Sequence, residues 1–220
     1  MISDKAVVDK SSKLESSTEV GPFSIIGRDV KIGKNVKISS HVVITGDTSI
    51  SDDCEIFSFA SIGNTPQDLK FKGEKTKLII GKKNKIRQYV TINPGTEHGG
   101  RVTKIGDNCL FMISSHIAHD CKIGNNVIIA NNVAIAGHVE IDDNVIIGGN
   151  SAVQQFTRIG KLAMIGGMTG VEKDVIPYGL VTGNRSHLDG INLIGLKRAG
   201  YSSDEINSLN QAVKIGRAHV

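Results

Sequence analysis

The sequence predicts an all-β fold, a parallel β-helix, and three observations predict it. Aliphatic residues recur at every sixth position over most of the 220 residues. A second column, four residues after each of these anchors, holds small or β-branched side chains. Trp is absent and there are only three Tyr and six Phe, so the core has to be built from Ile and Val with close backbone packing.

The anchors run in sixes from Val8 to Ile62, resume at Ile80, Ile86 and Ile92, and continue after one phase shift from Ile105 to Val171. An amphipathic helix needs a period of about 3.6. Period six instead fits short strands, a turn at each Gly or Asn, and a coil that closes on itself. Both columns then point inward. Stacked coils lie roughly 4.8 Å apart, so each anchor rests on the next, and each buried aliphatic contributes about 1.5–3 kcal/mol.

The period breaks twice, at GNTPQDLKFKGEKTKLI after Ile62 and at NPGTEHGGRVTK after Ile92. Both stretches read as loops thrown out from the coil, where function sits on a rigid scaffold. After Val171 the repeat fades through DVIPYGLVTGNRSHLDG. A helical pattern follows: INLIGLKRAG is a short amphipathic stretch stopped by Gly200. Ser202-x-x-Glu205 is a capping box, with Ile206, Leu209 and Val213 at helical spacing. The expected organisation is a β-helix over 1–190 and the start of a helical region over 191–220.

Composition narrows the function. The net charge is +4 and the lysines are scattered. With no basic patch or interleaved aromatics, a nucleic-acid partner is not expected. The start, MISDKAVVDKSSKLE, has no apolar leader and no apolar run is long enough to cross a bilayer, so the expected location is the cytoplasm. Cys54, Cys109 and Cys121 each lie four residues after an anchor, in the buried column, and read as small core residues.

The stretch SSHIAHDCKIGNNV, residues 114–127, carries the chemistry. His116 precedes the anchor Ile117, while His119 and Asp120 follow it by two and three, all at outward positions. If a coil is eighteen residues, Gly137 and Gln155 stack above His119, with His138 beside Gly137. An imidazole oriented by a carboxylate is a general base, worth roughly 10²–10⁴ in rate, and a backbone N–H at Gly137 can hold an oxyanion. Three histidines can alternatively bind zinc and activate water. The outside of a β-helix is flat, so a site there needs a second wall. A neighbouring subunit in a closed symmetric oligomer supplies one most simply.

The run MISSHIAHDCKIGNNVIIANNVAIAGHVEIDDNVIIGG, with QDLKFKGE before it and INLIGLKRAG after it, closely resembles the bacterial UDP-N-acetylglucosamine acyltransferases, which use acyl carrier protein and begin lipid A synthesis. The resemblance spans nearly the whole chain. It implies a left-handed β-helix, an exception to the usual crossover hand, and a homotrimer with sites between subunits. It also implies acyl carrier protein as co-substrate, with no cofactor and no resident metal. His119 would be the base toward the sugar 3-hydroxyl, Asp120 its orienting carboxylate and Gly137 the oxyanion donor. Asp68 and Lys70 would contact the sugar and its diphosphate, and His116, His138, Gln155, Asn192 and Arg198 would position substrate. Gly167 would leave depth for a long, commonly 3-hydroxylated, acyl chain.

The chain departs from the family pattern at Ile194, where an acidic residue is usual, and at Ala199, where a second arginine is usual. The ending IGRAHV reads as a foreign tail on a shortened helical region. Two other readings stay open: a related acyltransferase with another amino-sugar acceptor, and a trimeric zinc enzyme of the carbonic-anhydrase kind.

Overall fold

The computed structural model describes residues 1–217. Three sheets of nine, eight and ten strands, parallel except for the last strand, form the walls of a prism, and up to Val171 successive strands of the chain visit the first, second and third sheet in turn. Most strands are two residues long, the second being the inward anchor. The repeat length follows from the pairing: Val7 pairs with Ile25 and Ile25 with Val43, a step of eighteen residues. The anchors from Val20 to Val171 are buried and touch one another in a single core. Val8 and Leu14 are only half-buried, because the terminal coil has nothing stacked beneath it.

From Phe23 onward most corners are turned by one residue in the left-handed region, among them Asn35, Asn108, Asn126, Asn132, Asn144 and Asn150. Asn and Asp tolerate this conformation better than other side-chain-bearing residues. Several of the scarce aromatics sit at the corner between the third and first sheets. There Phe23, His41, Phe59 and Tyr89 form a ladder with ring centroids 5.1 Å apart. The cysteines are buried as the column predicts, and each thiol donates to a carbonyl of a neighbouring coil, as Cys121 Sγ does to Ala136 O at 3.2 Å.

The two breaks in the period leave the prism at the same corner. Ser61 pairs with Thr91, and Thr91 with His116, so both extra lengths of chain lie between a first-sheet strand and the second-sheet strand that follows it. The His119–Asp120 turn, between the strands His116–Ile117 and Lys122–Ile123, occupies this corner one coil further on. Hydrogen bonds join the loops: Asn93 Nδ2 donates to Asn64 O at 3.1 Å and to Thr65 O at 3.5 Å, and Glu97 N–H donates to Glu74 Oε1 at 3.2 Å.

The fading repeat after Val171 ends in an element that the periodicity does not announce. The strand Gly179–Thr182 continues the third sheet in parallel, then turns through Gly183 at φ +91 and pairs antiparallel with His187–Ile191. Ile191, the last residue of that strand, adjoins the expected boundary at 190. Helix α1 spans Leu193–Arg198 and α2 spans Ser203–Arg217. The capping box forms: Ser202 N–H donates to Glu205 Oε2 at 2.8 Å, and Glu205 N–H to Ser202 Oγ at 3.3 Å. Ile191, Leu196 and Ile206 make a second small core, with Tyr178 and Tyr201 packed against it. Of the run read as a foreign tail, Ile215–Arg217 lies within α2, and residues 218–220 lie outside the described residues.

Candidate active site

Asp120 turns its corner with φ +60, and His138 and Phe156 do the same one and two coils above it. The repeated corner conformation stacks their side chains. The His119 and His138 rings meet edge to face at 5.0 Å, and His138 lies flat on Phe156 at 4.4 Å. Phe156 carries no signal in the periodicity beyond its corner position, and it forms one wall of this column.

The position of Asp120 corrects the outward assignment made from spacing. Its side chain is fully buried, because the 93–101 loop folds back over it. Thr96 N–H donates to Asp120 Oδ1 at 2.8 Å, and Thr96 Oγ1 donates to Oδ2 at 2.6 Å. His119 Nδ1 lies 2.8 Å from the same Oδ2. An ionised carboxylate only accepts hydrogen bonds, so Nδ1 carries the proton and Nε2 is left with its lone pair. His119 keeps 13% of its side chain exposed, enough to meet a substrate while its orienting partner stays dry.

Gly137 stacks against His119. A β-carbon at residue 137 would come within 2.6 Å of Cε1 and 2.8 Å of Nε2 of the imidazole, so only glycine leaves the reactive edge uncovered. Among the hydrogen bonds of the described residues none is donated by Gly137 N–H. Gln155 is exposed one coil above. His116, in the adjoining strand, is partly buried with Nδ1 2.7 Å from Thr91 Oγ1. Burial lowers the pKa values of both His116 and His138 from their ordinary value. The neighbouring His119 adds to this, while for His138 the Asp120 charge partly opposes it. The Asp68 and Lys70 charges also act on His138, Asp68 raising its pKa and Lys70 lowering it.

Not every sequence-derived candidate converges there. Gly167 is exposed at the corner between the third and first sheets. Asn192 and Arg198 line an apolar groove of about 670 Å³ between α1 and the outer face of the third sheet, with Ile128, Ile146 and Met164. A prism corner faces away from the opposite wall, so within one chain these two residues are turned from His119. Asn192 is also the N-cap of α1, accepting from Gly195 N–H at 3.0 Å and donating to Leu162 O at 2.9 Å. Ile194 and Ala199, the two departures, line the same groove.

The potential metal ligands that do cluster are His119, Asp120 and His138, not the three histidines. His119 Nδ1 and Asp120 Oδ2 are at hydrogen-bonding distance, 2.8 Å. Two ligands of a tetrahedral ion with bonds of about 2.0–2.1 Å stand roughly 3.3 Å apart. With the carboxylate already held by Thr96, the group fits a proton better than zinc.

A family model described as bacterial transferase hexapeptide (six repeats) matches residues 11–46 and 103–137. A second, UDP-N-acetylglucosamine O-acyltransferase domain 2, matches residues 174–216. A curated relative from Azorhizobium caulinodans, an acyl-[acyl-carrier-protein]–UDP-N-acetylglucosamine O-acyltransferase, is 49% identical over 214 residues, covering 97% of this chain and 79% of its own. The chain belongs to the UDP-N-acetylglucosamine O-acyltransferase family.

Family members of the same name from Paracoccus denitrificans and Methylobacterium radiotolerans are 57% and 65% identical, over 70% and 73% of this chain. The chain spans 59% of the length of each. Among solved structures of the family, LpxA of Acinetobacter baumannii superposes with a TM-score of 0.95 at 46% identity, over 97% of this chain and 83% of that one. The UDP-N-acetylglucosamine acyltransferase of Francisella novicida superposes with 0.96 at 42%, over 98% and 79%. The fold is therefore the left-handed parallel β-helix with hexapeptide repeats.

Proposed function

We propose that the chain transfers an acyl group, commonly 3-hydroxylated, from acyl carrier protein to the 3-hydroxyl of UDP-N-acetylglucosamine, the first step of lipid A biosynthesis. The observation that carries this reading is the His119–Asp120 dyad: a mostly buried imidazole whose Nδ1 is bound to a buried carboxylate and whose Nε2 is bare. Nε2 takes the proton of the sugar hydroxyl as its oxygen attacks the thioester carbonyl. Asp120 stabilises the resulting imidazolium, and Gly137 N–H, which has no partner among the described residues, receives the oxyanion. When the tetrahedral intermediate collapses, the imidazolium returns the proton to the departing thiolate. Asp68 and Lys70 hold the diphosphate end, and His116, His138 and Gln155 line the sugar's approach. The mechanism uses no cofactor and no metal.

The reading includes a homotrimer. Asn192 and Arg198 sit on the wall opposite the His119 corner, so they reach substrate only by lining the site of a neighbouring copy. Both substrates of the proposed reaction are cytoplasmic, which supports a cytoplasmic location; no helix among the described residues is long and apolar enough to cross a membrane.

The test is mass spectrometry of products formed by the purified protein from acyl carrier protein charged with a mixed acyl pool. Ester on UDP-N-acetylglucosamine is the expected product. Exclusive acylation of an amine acceptor offered alongside would overturn the reading. For the assembly, His119→Ala and Arg198→Ala chains are each expected to be inactive alone and to regain activity when refolded together.

A further inference from the structure

The dyad rests on a residue that no role has yet been given. We propose that Thr96 is a positioning residue for acyl transfer, fixing the Asp120 carboxylate so that His119 presents a bare Nε2. The inference rests on the proposed function for its kinetic arm only; its spectroscopic arm stands without it.

Thr96 is buried and meets the carboxylate twice, through N–H to Oδ1 at 2.8 Å and through Oγ1 to Oδ2 at 2.6 Å. Two donors on two different oxygens fix the plane of the carboxylate, and charge-assisted bonds of this kind are about twice as strong as neutral ones. From below, Thr103 Oγ1 accepts Asp120 N–H at 2.8 Å and holds the corner itself. The loop backbone lies flat on the carboxylate at Gly99, where a β-carbon would overlap the Asp120 carboxyl group. The Thr96 carbonyl accepts from Arg101 N–H at 2.8 Å and Gly99 N–H at 3.2 Å, which closes the loop into a rigid turn.

The arrangement has a chemical consequence. Oδ2 accepts from both Thr96 Oγ1 and His119 Nδ1. Without the hydroxyl, one edge of a buried carboxylate loses its restraint. The carboxylate can then rotate toward His138 Nδ1, now 4.0 Å away, and leave His119 Nδ1 without a partner. An imidazole so released divides its proton between Nδ1 and Nε2, and the Nε2–H form is useless as a base.

Three measurements on the full chain test this. ¹⁵N NMR of histidine-labelled wild-type protein is expected to show His119 as the Nδ1–H tautomer, with a strongly downfield Nδ1 proton. Finding Nε2–H instead overturns the proposal without any variant. Thr96→Val, which keeps the β-branched shape, is expected to populate Nε2–H visibly and to lower kcat about tenfold or more, with KM for both substrates within twofold. Thr96→Ser, which restores the hydroxyl, is expected to return both tautomer and rate. A Val variant with the wild-type tautomer and kcat, or a Ser variant as impaired as Val, reduces Thr96 to a packing residue. A tautomer shift in a protein that acylates nothing would sink the proposed function while leaving this inference standing.

Discussion

Replacing Asp120 by Asn exchanges one carboxylate oxygen for an NH₂ and reverses the two hydrogen bonds that this oxygen accepts. The carboxylate receives Thr96 N–H on Oδ1, and both Thr96 Oγ1–H and His119 Nδ1–H on Oδ2. An amide has one accepting oxygen and one donating NH₂, so one of these arrangements must fail. Thr96 N–H is a backbone donor and cannot invert, which makes the amide oxygen take the Oδ1 place. The NH₂ then faces Thr96 Oγ1, which can rotate to accept, and His119 Nδ1, which can accept only by giving up its proton. His119 is thereby locked as the Nε2–H tautomer. The same loss in the Ser-His-Asp template costs about 10⁴ in kcat, and a general base is worth roughly 10²–10⁴. For Asp120→Asn the expected loss is about 10³ in kcat, equivalent to roughly 4 kcal/mol of barrier, with KM for the sugar nucleotide nearly unchanged. The assay is steady-state transfer from labelled acyl carrier protein at saturating sugar nucleotide. Circular dichroism should show an unaltered β-helix, since every hydrogen bond other than the inverted pair is retained. A variant within tenfold of wild type would refute the assignment of His119 Nε2 as the base.

Other outcomes follow from the same geometry. Gly137→Ala places a β-carbon 2.8 Å from His119 Nε2, and displacing a reacting group by even 1 Å can cost about 10²-fold; kcat should fall by that order while the melting temperature changes little. Burial pushes the thiols of Cys54 and Cys109 up to about 11 and that of Cys121 to about 12. At pH 8 no more than about one thiol in a thousand is ionised, so a thiol reagent should label none in the native protein and all three in denaturant, as counted by mass. Burial lowers His116 and His138 below the ordinary histidine value, and the unfolded chain takes up protons near pH 6.5. Stability is therefore full above about pH 6.5 and is lost as the pH falls through that value toward the depressed folded-state pKa values. The melting temperature should drop between pH 7.5 and 5.5, and His116→Gln should flatten the drop; an unchanged or rising melting temperature contradicts it.

The coil was legible because its information is local. A hexapeptide closes one wall, and the aliphatic at Ile117 or Ile129 needs no distant residue to declare it inward. Cys121 was placed correctly by the same arithmetic. Asp120 was not, because its environment is made by Thr96 and Gly99, twenty-four and twenty-one positions earlier, in a stretch with no period at all. The signal lies in the register and shows only in the fold: the anchors Ile62, Ile92 and Ile117 pair in one sheet at steps of thirty and twenty-five residues instead of eighteen. Both breaks in the pattern therefore emerge at the corner below His119. Thr96 has no such signal, since a threonine in a Gly-rich loop looks like any other. The antiparallel strand His187–Ile191 was illegible for a related reason, as its pairing depends on one turn at Gly183 and not on a repeated register.

A solenoid of this kind solves packing so completely that it leaves little on its surface with which to do chemistry. Every inward position is filled, and the outward ones stand on flat walls. A carboxylate held there in water would orient an imidazole poorly, because solvent competes for each of its lone pairs. The fold supplies the missing enclosure by interrupting itself: thirty residues separate Ser61 from Thr91 and twenty-five separate Thr91 from His116, where eighteen would close a coil. The surplus is spent at one corner, and part of it dries Asp120 while leaving His119 partly open. The price is that the loop covers the dyad from one side only. In the proposed homotrimer a neighbouring copy closes the other side, since the chain's own Asn192 and Arg198 face outward from the opposite wall. On that proposal, the same flatness that makes the prism stable leaves the isolated chain incomplete and ties catalysis to assembly.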